Sequence, residues 1–388
     1  MSLIPAVDAV TSRPRPQIVF LISVDWFFVS HFVHLAKRAQ AIGFDVVVMT
    51  RLEKTGMALA DFGFDVIDLP AERRGQGANG LLATVRRVRQ ALSDRPGALL
   101  HGFGLFGMVV GVAAIGSRRA HRAVYTITGR GYLAADQSLA GATKRRAVRA
   151  VVAGVVDHAS VHWIAENATD LEQLGLDRAR RQGRTTIVGG AGVDPDKYVE
   201  ATWPAGPPIR CLLVARAIWS KGIDIAVEAV QRARATGTAI ELTIAGGLDP
   251  ANPRAYSMTQ MEEFAAKPGI RWLGHVTDVA GLWPHYHVAV LPSRGGEGVP
   301  KSLLEAAASG RSIITTDVPG CRELAELTGG RIVAAGDAVA LADALATCDV
   351  ETLGKLGKRA RSVVVEHYSE SAVWRRVSTI YLGGAPTQ

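Results

Sequence analysis

Two cations and two carboxylates carry the chemistry this chain offers. Arg216 and Lys221 stand five positions apart in the stretch Ala215–Gly222, directly after the apolar run 211–215. Glu297 and Glu305 stand eight apart in Leu291–Gly310 (LPSRGGEGVPKSLLEAAASG). That second stretch reads as a strand end, a glycine-rich loop and a helix. Gly295, Gly296 and Gly298 let the backbone approach a ligand closely. Pro300 suits a first helical turn, Leu303, Leu304, Ala307 and Ala308 make an apolar stripe at helical spacing, and Gly310 is placed to stop the helix. Free N–H groups and a partial positive charge at a helix start favour an anion such as a phosphate. Arg can fork onto two phosphate oxygens and Lys adds a point charge, so the pair suits a diphosphate. Glu305 lies too far into its helix to gain from the dipole, and a hydroxyl-rich group such as a ribose gives it a reason to face the site. Taken alone, either stretch is equally an ordinary solvated loop.

Alternating strands and helices must position these residues. The expected strands begin at 17–23, 45–50, 64–69, 98–101, 123–128 and 160–164, with helices at 31–42, 81–93 and 143–156 and a loop at 25–30. A Pro-rich linker, Thr202–Pro208, precedes a second series: strands at 209–215, 241–245, 270–273, 288–292, 311–316 and 330–333, helices at 223–235, 341–346 and 350–366, and a final amphipathic helix at 369–382. The pattern implies an α/β protein with two Rossmann-like, doubly wound parallel-sheet domains facing a cleft. The expected divisions are a loose tail at 1–16, an N-terminal domain at 17–200, a C-terminal domain at 201–366, and a final helical segment at 367–388.

Bulk properties narrow the function. The net charge of +8 is uneven: residues 1–205 carry 25 Lys and Arg against 18 Asp and Glu, and the remainder 19 against 18. The basic half suits an anionic membrane surface or a phosphorylated substrate. Its clusters lack the aromatic interleaving of a single-strand binder, so no nucleic-acid partner is expected. Three widely spaced cysteines argue against a disulfide framework or zinc site and fit a reducing cytosol. No signal peptide is expected. Leu99–Gly116 approaches the ~18–20 apolar residues of a membrane span, but its five glycines favour a buried strand followed by a buried helix.

The order Arg216-x4-Lys221-Gly222, Ala245-Gly246-Gly247, Gly274-x3-Asp278, Pro292-Ser293-x3-Glu297-Gly298-x-Pro300-x4-Glu305-Ala306, then Thr316–Gly320 with Arg322-Glu323, resembles the GT-B glycosyltransferases. Within them it is most similar to the retaining group called family 4, whose hallmark is Glu-x7-Glu. The likeness is close over 209–326 and weaker before it. Val188–Asp194 resembles the family's inter-domain loop. Thr126–Tyr132 and Ser30-His31-Phe32 are similar to a bacterial subset acting on undecaprenyl-diphosphate-linked sugars in surface polysaccharide synthesis.

The resemblance implies that the domain at 17–200 binds the acceptor, that the domain at 201–366 binds the nucleotide-sugar, and that the helix at 367–388 crosses back to the first domain. It also implies a role for each residue. Arg216 and Lys221 hold the donor diphosphate and stabilise the departing nucleotide, with no metal and no cofactor. Glu297 contacts the donor sugar, Gly298 and Val299 offer N–H groups near the phosphates, and Glu305 binds the ribose. Gly246, Gly247, Arg294, Pro300, Ser302 and Leu303 complete the expected donor side. There are departures: Ser23–Ser30 lacks the glycine-rich loop many members carry, and Thr126, Thr128 and Gly129 stand where a His is common. Asp25, His31, His34, His101 and Gly129 are the acceptor-side candidates, each equally readable as structural. Trp26-Phe27-Phe28 reads either as a lipid contact or as core. Arg86, Arg87 and Arg89, with Lys144, Arg145, Arg146 and Arg149, read either as a solvated face or as a contact to an anionic leaflet. The expected activity is transfer of a sugar from a nucleotide-sugar, a UDP-sugar, to a polyprenyl-diphosphate-linked or saccharide acceptor. The expected place is cytoplasmic, peripheral on the inner face of the plasma membrane. A sugar-nucleotide epimerase or a non-catalytic partner subunit of the same fold stays open.

Overall fold

A computed structural model describes residues 15–53, 56–70, 77–116, 121–129, 138–296 and 298–383. The first sheet contains β1 (Gln17–Val24), β2 (Asp45–Arg51), β3 (Asp65–Asp68), β4 (Leu99–Phe103), β5 (Ala123–Ile127), β6 (Val161–Ala165) and β7 (Thr185–Ile187), in the order 3-2-1-4-5-6-7. The second contains β8 (Ile209–Val214), β9 (Ile240–Ala245), β10 (Ile270–Trp272), β11 (Val288–Leu291), β12 (Ser312–Thr316) and β13 (Arg331–Val333), in the order 10-9-8-11-12-13. Every pairing between neighbouring strands is parallel. Helices cover both faces of each sheet, which is why β4, β5, β11 and β12 are buried along their whole length.

Strand order reverses between β1 and β4 in the first sheet and between β8 and β11 in the second. The crevice at such a switch point is where open α/β sheets bind ligands. The loops after β8 and β11, which carry Arg216, Lys221 and the glycine-rich turn, flank the second switch point.

The final helix, Glu370–Tyr381, packs into the first sheet's core. Its Val373, Val377, Ile380 and Tyr381 join Phe20, Phe28, Phe44 and Leu99 in one apolar cluster. Polar contacts seal the junction: Arg122 donates to the Ile380 carbonyl at 2.6 Å and Arg376 to that of Val188 at 3.2 Å.

Several local expectations are corrected. Residues 25–30 are a helix rather than a loop (Asp25–His31), and the helix expected at 31–42 begins only after a break at Phe32, running Val33–Ala41. Burial of Phe28 and Phe32 fixes the short first helix against β1 and β4, a tertiary effect that local pattern does not announce. The helix expected at 143–156 is Leu139–Val151, started by a Ser138 cap and followed by a π turn at Val152–Val156. Helices at Ala168–Gln173, Met258–Ala265 and Cys321–Thr328, and strand β7, had no counterpart in the expected pattern. The apolar stretch 99–116 is strand β4 followed by the helix Gly104–Ile115. A Cβ on Gly107 would lie 2.8 Å from the Leu21 carbonyl oxygen, and one on Gly111 2.9 Å from the Tyr125 hydroxyl, so these glycines let the helix lie close on the sheet. Among the described residues no helix is long and apolar enough to cross a membrane.

Candidate active site

A cavity of about 650 Å³ lies between the two sheets' carboxyl ends. From the second domain come Arg216, Trp219, Lys221, Asn252 and Arg254, then Gly295, Gly296 and Gly298 to Ser302, and Glu305. The first domain supplies Trp26, Phe27, Ser30, His31, Leu105, Met108, Ile127, Gly129, Arg145 and Glu166. The second domain's wall is charged, whereas much of the first domain's is apolar.

Local geometry explains how the cations reach the cavity. Trp219–Lys221 forms one 3-10 turn, and Gly222 follows with φ 69°. A Cβ on Gly222 would lie 2.0 Å from the Pro292 carbonyl oxygen. Only glycine permits that conformation and that approach, which brings the Lys221 loop onto the loop after β11. Arg294 then staples the two. Its backbone N–H donates to the Ser220 carbonyl at 2.8 Å, and its guanidinium forks onto Asp224 at 2.8 and 2.7 Å. Trp219 is held between Arg254 and Arg294, whose guanidinium carbons lie 3.2 and 4.7 Å from its ring centre.

The helix Lys301–Ala308 starts at the cavity, with Pro300 as its N-cap rather than inside its first turn. Its second turn carries Glu305, which is buried. Burial pushes the Glu305 carboxyl up, against the charge of Lys301 and the nearby Tyr198 hydroxyl, which hold it down. Lys301 is itself pushed down by burial, and its ammonium donates to the Ser30 carbonyl across the cleft. The Ser30 hydroxyl lies 2.6 Å from His31 Nδ1, and the imidazole rests on Phe27 with ring centres 4.4 Å apart. Burial, then the charge of Lys301, pushes His31 well below its ordinary value, so this ring is neutral at pH 7.

The cavity brings together Arg216, Lys221, Gly298, Val299, Pro300, Ser302, Glu305, His31 and Gly129 from the expected set. Glu297 lies outside the described residues. Others are placed elsewhere. Arg294 is committed to Asp224 and does not line the cavity. Gly246 is packed so tightly that a Cβ would lie 1.6 Å from the Ala215 carbonyl oxygen, and Gly247 faces His275. Leu303 is in the core. Asp25 is buried below the cavity, accepting from the backbone N–H groups of Trp26 at 2.7 Å and Glu53 at 3.1 Å. His101 is fully buried between the Tyr381 hydroxyl and the Thr126 hydroxyl, each at 2.6 Å. It does not line the cavity, and the same burial lowers its pKa to about 3.

Sequence reasoning passed over Lys301, Glu166, Trp219 and Arg254. Lys301 was legible as the cation inside the glycine-rich motif. Glu166 had no signal, because Val299, which donates to it, lies 133 positions away in the other domain. Among the described residues no group of His, Cys, Asp and Glu is arranged to hold a metal ion.

Comparison with known proteins agrees with this architecture. Residues 208–348 match the family described as glycosyl transferases group 1, and residues 17–158 match the family described as glycosyl transferase 4-like. The chain belongs to the GT-B family 4 glycosyltransferases, a family of transferase enzymes. It is 31% identical over 206 residues to the protein named as colanic acid biosynthesis glycosyltransferase WcaL of Salmonella typhimurium, covering 50% of each chain. It is 31% identical over 170 residues to the N,N'-diacetylbacillosaminyl-diphospho-undecaprenol alpha-1,3-N-acetylgalactosaminyltransferase of Campylobacter jejuni, covering 40% of this chain and 42% of that one. The chain thus spans about half the length or less of these curated relatives. The solved structure of Anabaena HepE with UDP and glucose has the same fold, with a TM-score of 0.73 at 16% identity over 95% of this chain and 100% of that one. A Rickettsia africae glycosyltransferase gives 0.74 at 15% identity, covering 96% and 99%.

Proposed function

We propose that this chain is a retaining glycosyltransferase that moves a sugar from a UDP-sugar to a polyprenyl-diphosphate-linked or saccharide acceptor in surface polysaccharide synthesis. The observation that carries the reading is the convergence of Arg216, Lys221, the Val299–Ser302 helix start and buried Glu305 on one cavity at a sheet switch point. In this reading Arg216 and Lys221 meet the diphosphate. As the sugar bond breaks, the leaving nucleotide gains negative charge, and cations already fixed there lower the barrier without reorganisation. Glu305 takes the ribose hydroxyls and Glu297 those of the donor sugar. The first domain's apolar wall, from Trp26 and Phe27 to Leu105 and Met108, receives the acceptor beside neutral His31. The names of the Salmonella and Campylobacter relatives support the polysaccharide and lipid-linked parts of the reading, and the UDP-bound HepE structure supports the donor.

The reading includes a membrane surface. On the helix Leu139–Val151 and the turn after it, Lys144 and Arg146 are exposed together with Leu139, Val151 and Val155, while Arg145 turns into the cavity. Exposed basic and apolar residues along one element suit an anionic leaflet. Arg89 does not belong to such a surface, because it donates to the Ala113 and Ala114 carbonyls at 2.7 and 3.2 Å, at the end of the helix Gly104–Ile115.

A thermal-shift screen against UDP, GDP and their sugars tests the donor assignment. The reading expects UDP to raise the melting temperature in proportion to the logarithm of its concentration. A melting temperature unmoved by every nucleotide at millimolar concentration contradicts it.

A further inference from the structure

The groups that would receive the donor's phosphates are already engaged by the chain's own carboxylates. The Val299 N–H donates to Glu166 Oε2 at 2.7 Å. Glu166 follows β6 in the first domain and is only 6% exposed. The seat is close: a Cβ at Gly298 would lie 1.9 Å from that same oxygen. Separately, Arg216 Nη1 donates to Asp249 Oδ2 at 2.5 Å. Asp249 belongs to the loop after β9, and its side chain is 18% exposed against 52% for Arg216. Two carboxylates from different elements thus hold two anion-receiving groups of one cleft.

A carboxylate and a phosphate compete for the same donors, since both are oxyanions that accept from a helix-start N–H and from a guanidinium. We propose that Glu166 and Asp249 are internal stand-ins for the donor's phosphates, an autoinhibitory pair that the nucleotide must displace. This rests on the nucleotide-sugar reading of the cleft. The two stand-ins differ in reach. Asp249 moves within its own domain, whereas Glu166 links the two domains, so its displacement ties donor arrival to a loosening of the cleft. The neighbouring contact from Thr169 Oγ1 to Glu323 Oε1, at 3.1 Å, also crosses between the domains and does not involve the phosphate-receiving groups.

Calorimetric titration of UDP and of GDP into the full chain, Glu166→Gln and Asp249→Asn tests the proposal. Glutamine keeps the side chain's shape and removes its charge. The expected result is tighter nucleotide binding in Glu166→Gln, by roughly threefold to tenfold, as when a competent state stops being a minor fraction. A smaller gain is expected in Asp249→Asn, because Arg216 is half solvated. Nucleotide binding to the unaltered chain with no gain in either variant overturns the proposal and leaves the nucleotide-sugar reading standing. No binding by any of the three proteins overturns that reading and the proposal with it. Should Glu166→Gln fail to fold, Asp249→Asn decides alone: tighter binding supports the proposal and unchanged or weaker binding overturns it.

Discussion

Three histidines show how burial decides a residue's chemistry. His34 donates through Nε2 to the Ala191 carbonyl at 2.8 Å, and burial lowers its pKa to about 4. Burial likewise lowers His101 to about 3 and His162 to about 4. Each is neutral in the folded chain and titrates near 6.5 once unfolded. Between about pH 6.5 and pH 4 the unfolded chain therefore binds protons that the folded chain refuses, so stability rises with pH across that window and falls on acidification. Each fully buried histidine contributes a slope of up to about 1.4 kcal/mol per pH unit. Urea midpoints measured from pH 7.5 to 5 should fall steadily below 6.5, and less steeply in His101→Gln; a flat profile contradicts the assignment. A position in sequence did not separate these histidines from His31, which reaches the cavity. Their access differs because β4 buries His101 beneath the final helix, while His31 ends a short helix at the cleft. The second domain's cavity residues were more legible, because Arg216, Lys221 and Glu305 sit in local motifs whose loop-to-helix geometry follows from glycine and proline. Arg294 was misread for the opposite reason: its partner Asp224 lies 70 residues away, and nothing local reveals a fork between two loops.

Among the elements that border the cavity, the turn at Trp219–Gly222 has a demanding geometry. Gly222 has positive φ and no room for a side chain against Pro292. Gly222→Ala should destabilise the chain by about 1–3 kcal/mol, from strain and a displaced loop. It should also weaken nucleotide binding, because Lys221 moves with the turn. Denaturant unfolding with parallel nucleotide titration measures both, and wild-type behaviour in both contradicts the account. The central strands of both sheets were readable because they are continuous apolar runs bounded by turn residues, whereas the edge strand β7, Thr-Thr-Ile and half-exposed, was not. Helix limits were less so. Asp25–His31 is only seven residues long and held by tertiary packing, and the π turn at Val152–Val156 extends a helix whose start, set by the Ser138 cap, lay outside the expected span.

At the scale of the whole molecule, three features converge on the cleft. The switch points of the two sheets face one another, the final helix joins the first domain's core, and exposed basic and apolar residues lie on the helix that sends Arg145 into the cavity. The alternation of strands and helices made the two-domain architecture legible, but not the contacts between domains, since Glu166 with Val299 and Lys301 with Ser30 join residues 133 and 271 positions apart. If this helix meets a leaflet, the chain should float with anionic vesicles at low salt and release as screening rises, at roughly 1 kcal/mol per basic residue engaged. Equal recovery with neutral and anionic vesicles contradicts that placement.

The central claim is that this cleft transfers a sugar from a nucleotide donor, and its most direct measurement is UDP release from UDP-sugars supplied with a polyprenyl-diphosphate-linked sugar acceptor. The account predicts acceptor-dependent UDP release with a glycosylated lipid product, reduced about 10²–10³-fold in Lys221→Ala by loss of a fixed charge on the leaving group. Conversion of the UDP-sugar to a different UDP-sugar without acceptor, or turnover in Lys221→Ala equal to that of the unaltered chain, would contradict it.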